Sequence, residues 1–197
     1  MGQVTVTQTI QATPEQLWAI LADVTRLPDW AYTEGRFPYT VEGRYGSEQT
    51  EGVGTLWVGV SADGQTATQQ ITAWEPHQKL VYELREAENA PLKMTQTNTF
   101  ELEPSDGYTN LSWVVDWALT GGFSLGSLLL RFTGNAAFEE MMAGSLEKLK
   151  HLVEKEAAGP PPAATAAESG EQDVEPPAAS EPNEASSANP LDFDLPQ

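Results

Sequence analysis

The stretch Thr109-Asn110-Leu111-Ser112-Trp113-Val114-Val115-Asp116-Trp117-Ala118-Leu119-Thr120-Gly121-Gly122-Phe123-Ser124-Leu125 changes its period in the middle. Trp113, Val115 and Trp117 recur at every second residue, so Thr109–Thr120 reads as a strand with those three on its buried face and Asp116 on its outer face. Beyond the glycine pair the period becomes 3.6. Ser124 through Glu156 reads as one long helix with Leu125, Leu128, Phe132, Ala136, Met142, Leu146, Leu149 and Val153 along one stripe. Its expected length is about 45–50 Å, enough to cross a whole sheet. Gly134-Asn135 is its weak point, where a bend would bring Phe138 and Met141 onto the buried face.

Upstream lies a meander. Tyr39–Tyr45, Thr55–Val60, Thr66–Trp74, Leu80–Arg85 and Met94–Glu103 read as strands. The turns are Ala62-Asp63-Gly64, Glu75-Pro76-His77 and Pro104-Ser105-Asp106-Gly107. Gly52-Val53-Gly54 resembles half a phosphate loop, but no helix follows it, and it reads as a turn or bulge entering a strand. At the beginning, Val4–Ile10 alternates as a strand. Thr13-Pro14-Glu15-Gln16 then forms a helix start: a capping threonine, a proline at the first helical position, and a glutamine able to complete a capping box. Asp23 can cap a second short helix, which Pro28 stops around Trp30.

The order is one strand, two short helices, six strands and one long helix. A long antiparallel sheet needs its apolar face covered, and the last helix is the one element large enough. The expected class is α+β, a curved seven-stranded antiparallel sheet wrapped around the C-terminal helix.

Composition divides the chain at residues 156–157. Residues 157–197 are mostly Pro, Ala, Ser and Glu, a composition unable to bury enough apolar surface to offset ordering entropy. A disordered acidic tail over 157–197 is expected after a ligand-binding domain over 1–156. The net charge is −19. From Glu156 onward there are nine acids and no base, leaving 20 acids against 10 bases before it, so both parts are acidic. Such a balance excludes affinity for phosphate backbones or anionic headgroups, which relies on clustered Lys and Arg. With no cysteine, disulfide and thiolate chemistry are excluded. No apolar run approaches the roughly 18 residues of a membrane span, and no signal-peptide pattern opens the chain, so a cytoplasmic protein is expected.

Several of these segments resemble one superfamily. They are the opening through Ile10-Gln11-Ala12-Thr13-Pro14-Glu15-Gln16-Leu17-Trp18 to Leu27-Pro28-Asp29-Trp30, the passage Ile71-Thr72-Ala73-Trp74-Glu75-Pro76-His77, and the Gly-Gly lead into a long Leu-rich helix. Together they are similar to START-like proteins of the SRPBCC superfamily, which includes polyketide cyclase/dehydrase-type proteins. The resemblance covers residues 3–155 and implies a helix-grip fold with a pocket between the sheet's concave face and the long helix.

Strand alternation assigns side chains to that pocket. Met94, Gln96 and Asn98 share a face with Phe100 and Leu102; Trp113, Val115 and Trp117 face inward from the next strand. Tyr39, Val41, Tyr45 and Tyr82 complete the face, and Phe132 and Met142 approach from the helix. Trp30, Tyr32, Phe37 and Arg131 are expected at the cavity mouth. Gln96 and Asn98 also suit plain hydrogen bonding to neighbouring backbone or a trapped water. His77 sits in a turn and is expected in solvent, while His151 and Glu154 are too few ligands for a metal.

The face offers amides and phenols but no acid–base pair. Non-catalytic binding or transport of a hydrophobic molecule (lipid, isoprenoid or aromatic polyketide) is therefore the favoured function, with no cofactor or metal. An aromatase/cyclase-type enzyme and a co-chaperone or assembly-type protein are the alternatives. At the tail's tip, residues 190–196, Leu191, Phe193 and Leu195 stand among acids. We expect this tip to dock on a basic, apolar groove of another protein; identical pull-downs with and without it would count against that.

Overall fold

A computed structural model describes residues 1–31, 39–90, 92–121 and 125–159, the side chains of 125–132 excepted. Seven strands form one antiparallel sheet: β1 (Gly2–Ile10), β2 (Thr40–Tyr45), β3 (Leu56–Ser61), β4 (Thr66–Glu75), β5 (Lys79–Glu88), β6 (Met94–Ser105) and β7 (Tyr108–Leu119). Their order is β1-β7-β6-β5-β4-β3-β2, so β2–β7 is a meander and β1 closes onto its last strand. The helices are α1 (Pro14–Leu21), α2 (Leu27–Trp30) and α3 (Leu125–Ala157). The architecture is the helix-grip fold.

Local chemistry accounts for each boundary. Thr13 caps α1: its Oγ1 accepts from Gln16 N at 3.4 Å, and Gln16 Oε1 accepts from Thr13 N at 2.9 Å. Leu17, Trp18, Ile20 and Leu21 then bury one face of the helix. Asp23 Oδ1 accepts from Thr25 N at 2.9 Å, opening a 3-10 turn over Val24–Arg26 that runs directly into α2. The β4–β5 turn holds His77 at φ 65°, and the β6–β7 turn holds Asp106 and Gly107 at φ 23° and 84°. Gly52 and Gly54 both take positive φ, and Gly54 N donates to Ile71 O at 2.9 Å, so the Gly-Val-Gly segment is a turn entering β3.

α3 runs unbroken for 33 residues, about 50 Å. Gly134, Ala137, Phe138, Met141, Met142, Ser145, Leu146, Leu149 and Val153 are buried along it. Ala136, expected in the stripe, is exposed; counting back by 3.6 residues from Met141 reaches Phe138, Ala137 and Gly134 instead. The helix packs chiefly along β1, with α2, α1 and β7 adding smaller contacts. Arg26 ties it to α2, its Nε 2.6 Å from Asp29 Oδ2 and its Nη2 2.7 Å from Glu156 Oε1. The Glu156 and Asp29 carboxylates hold the guanidinium even more firmly protonated than usual. Gln11 N donates to Glu154 Oε1 at 2.8 Å nearby. Among the described residues no helix is long and apolar enough to cross a membrane. Ala157, the first residue of the expected tail, is the last of α3, and residues 160–197, with the tip residues Leu191, Phe193 and Leu195, lie outside the described residues.

Candidate functional site

Opposite residues in an antiparallel pair share a face, so the ladder gives the inner surface row by row. One row runs Leu80 (β5), Phe100 (β6), Trp113 (β7), Val6 (β1); the next runs Tyr82, Asn98, Val115, Val4. At the other side Trp57 on β3 faces Gln69 on β4, two residues from Ile71, which pairs with Tyr82. Trp57, Ile71, Tyr82, Asn98, Phe100, Trp113 and Val115 are all buried.

The aromatic rings form one connected set. Phe100 stacks on Trp113 at 4.9 Å and 24°, Tyr82 lies 5.8 Å from Phe100, and Trp57 lies 5.4 Å from Tyr82. Trp30, the last residue of α2, meets Phe100 and Trp113 edge-on at 6.3 and 6.2 Å. Quadrupoles favour such tilted and edge-on contacts.

Polar groups are set into this apolar surface. Asn98 Oδ1 accepts from Trp113 Nε1 at 3.1 Å and from Gln96 Nε2 at 3.3 Å, which occupies both of its lone pairs. Asn98 Nδ2, Trp30 Nε1, Trp57 Nε1 and Thr55 Oγ1 are buried without a hydrogen-bond partner. The buried polar side chains among the described residues are Thr55, Gln69, Asn98, Thr109 and Ser145, none of them ionisable. Thr109 and Ser145 are accounted for, donating to Ala12 O at 2.8 Å and Met141 Sδ at 3.8 Å.

The inner-face residues expected from β5–β7 are where alternation put them, with Met94 and Gln96 half-buried and Tyr82, Asn98, Trp113 and Val115 buried. Met142 is buried on α3. Three positions need correction. Tyr39 and Val41 are 55% and 49% exposed, not inward. The register shifts between Thr40 and Glu42, and this irregularity breaks the alternation that Tyr45 and Gly43 follow. Trp30 is 1% exposed, in the core and not at a rim, because α2 folds its indole onto Phe100 and Trp113. Tyr32 and Phe37, and the side chains of Arg131 and Phe132, lie outside the described residues.

Tyr45 is half-buried, and its hydroxyl donates to Asp23 Oδ1 at 3.3 Å. Burial, followed by the neighbouring Asp23 charge and that hydrogen bond, raises its phenol above the ordinary value. His77 is exposed, with Nδ1 3.9 Å from Glu15 Oε1. His151 pairs with Glu147 at 3.1 Å, not with Glu154. Among the described residues no cluster of three or more His, Cys, Asp or Glu is placed to hold a metal.

Sequence reasoning missed Thr55, Trp57 and Gln69. Leu56-Trp57-Val58-Gly59-Val60 is apolar on both parities, so alternation there selects no face. Gln69 was accessible by counting two residues back from Ile71.

Among solved structures, the Zhui aromatase/cyclase from Streptomyces sp. R1128 is similar, with TM-score 0.64 and 21% identity over 80% of this chain and 98% of that one. TTHA0849 from Thermus thermophilus has TM-score 0.60 and 18% identity over 81% and 100%. MLL2253 from Mesorhizobium loti has 0.56 and 22% over 78% and 98%. At these identities the likeness is one of fold. Among curated proteins none matches. The family described as polyketide cyclase / dehydrase and lipid transport matches residues 1–154, and the chain belongs to that family.

Proposed function

We propose that the domain binds or carries a hydrophobic small molecule (a lipid, isoprenoid or aromatic polyketide) between the inner face of the sheet and α3, without transforming it. One observation carries this reading: an aromatic surface in which Trp30, Trp57, Asn98 and Thr55 keep buried polar atoms unpaired. Each such atom costs about 1–3 kcal/mol in an apolar surrounding. Native structures pair nearly all of them, so exceptions of this kind suit a bound molecule that supplies the missing partners. Membership in a family described by polyketide and lipid chemistry supports the same class of ligand. A cyclase-type reaction would call for a group of shifted pKa free to act inside the site, whereas the buried described side chains offer indoles, amides, hydroxyls and one phenol, and the raised phenol of half-buried Tyr45 is engaged with Asp23.

Protein purified from its own host and examined by native mass spectrometry should carry an extra mass that organic extraction releases as a hydrophobic compound. Val115→Trp, which fills the row beside Asn98, should abolish that extra mass in a protein that still folds. Uptake persisting in the folded variant would sink the inward site.

A further inference from the structure

Building on that binding role, we infer that the ligand is a neutral molecule bearing oxygen acceptors, recognised by the indole N–H groups of Trp30 and Trp57 and by the Asn98 amide N–H. The chemistry of the unpaired atoms gives the sign. An indole Nε1 can only donate, and so can an amide nitrogen. Asn98 has already given its oxygen to Trp113 and Gln96, at 3.1 and 3.3 Å, so its free group is the donor. Three of the four unpaired buried atoms are thus donors, and the fourth, Thr55 Oγ1, can act either way. What complements them is a carbonyl, ester or ether. A sugar or polyol would bring donors of its own, and a saturated hydrocarbon would leave all three unmet.

Charge selects among acceptors. A carboxylate accepts more strongly, but it must shed its water to enter an interior where no described buried side chain is cationic. Ring contacts link the residues that carry two of these donors: Trp57 touches Tyr82, Tyr82 touches Phe100, and Trp30 meets Phe100. Trp117 is an internal control, since its N–H donates to Asn135 at 3.0 Å.

The test is calorimetric titration of the full chain with fluorene, 9-fluorenone and fluorene-9-carboxylate, three ligands on one ring system. Fluorenone should bind about tenfold tighter than fluorene, the carboxylate weakest. Trp30→Phe and Trp57→Phe should each weaken fluorenone by about tenfold and leave fluorene within about twofold. Should either variant fail to fold, indole N–H resonances of the unaltered protein serve instead. Those of Trp30 and Trp57 should move on adding fluorenone, while that of Trp117 stays. Equal affinity for fluorene and fluorenone, a preference for the carboxylate, or a co-purified molecule without oxygen acceptors overturns the inference but leaves the carrier reading standing. If no probe binds and nothing is extracted from the native protein, both fall.

Discussion

Gly134 stands where α3 crosses β7, and its missing side chain is what admits the Trp117 indole. A Cβ built there would lie 2.4 Å from Trp117 Cζ2. Alanine gains about 1 kcal/mol of helix propensity, but the ring would have to move, with its hydrogen bond to Asn135, at about 1–3 kcal/mol for overpacking. Gly134→Ala should therefore lower stability by about 1 kcal/mol in urea unfolding; a gain would mean that the helix and ring are not pressed together. Tyr45 yields a pH signature. Its phenol is raised in the folded state from a starting value of 10.0, so its contribution is whole below pH 10 and is lost as pH climbs through the folded value. The stability difference between the parent protein and Tyr45→Phe should stay constant up to about pH 10 and narrow above it. A gap that widens there would contradict the Asp23 contact. Asn98 was legible as inward by parity alone; that its nitrogen would be left over was not, because that depends on how Trp113 and Gln96 turn.

Elements were read from their ends. The capping box at Thr13 and Gln16 is formed as its spacing implies, and Thr13→Ala should cost about 1 kcal/mol, seen as a lower urea midpoint with unchanged slope. No loss would mean that packing of Leu17 and Leu21 alone holds α1 in place. At β2 the sequence misleads. Tyr39, Val41, Gly43 and Tyr45 have one parity, yet the irregularity between Thr40 and Glu42 leaves only the last two on the inner side. Gly43 meets the backbone of the 3-10 turn, where a Cβ would fall 1.9 Å from Val24 O. No local propensity announces that contact; it arises from a turn brought over the strand by the tertiary fold. β3 was opaque for another reason, its residues being apolar on both sides. Trp30 was misplaced because α2 has only four residues, too few to show a period that says which way its last side chain faces.

For the whole molecule, the architecture was legible because periods of two and of 3.6 follow each other cleanly, with turn residues between them. Charge acts at this scale as well. A net −19, with 20 acids against 10 bases before Glu156, makes the folded chain repel itself. Raising ionic strength from about 0.01 M to 0.15 M shortens the screening length from roughly 30 to 8 Å and should lift the thermal midpoint by a few degrees; a flat response would show the acids already well spread. The sheet order has a further consequence, for synthesis. β1 pairs with β7, Gly2 opposite Trp117 and Ile10 opposite Thr109. During synthesis β1 therefore waits for a mate encoded about 100 residues later, roughly 5–20 s at ordinary translation rates. Throughout that interval Val4, Val6 and Ile10 are a nascent edge without its mate, so a chaperone that grips short alternating segments would find its client in β1.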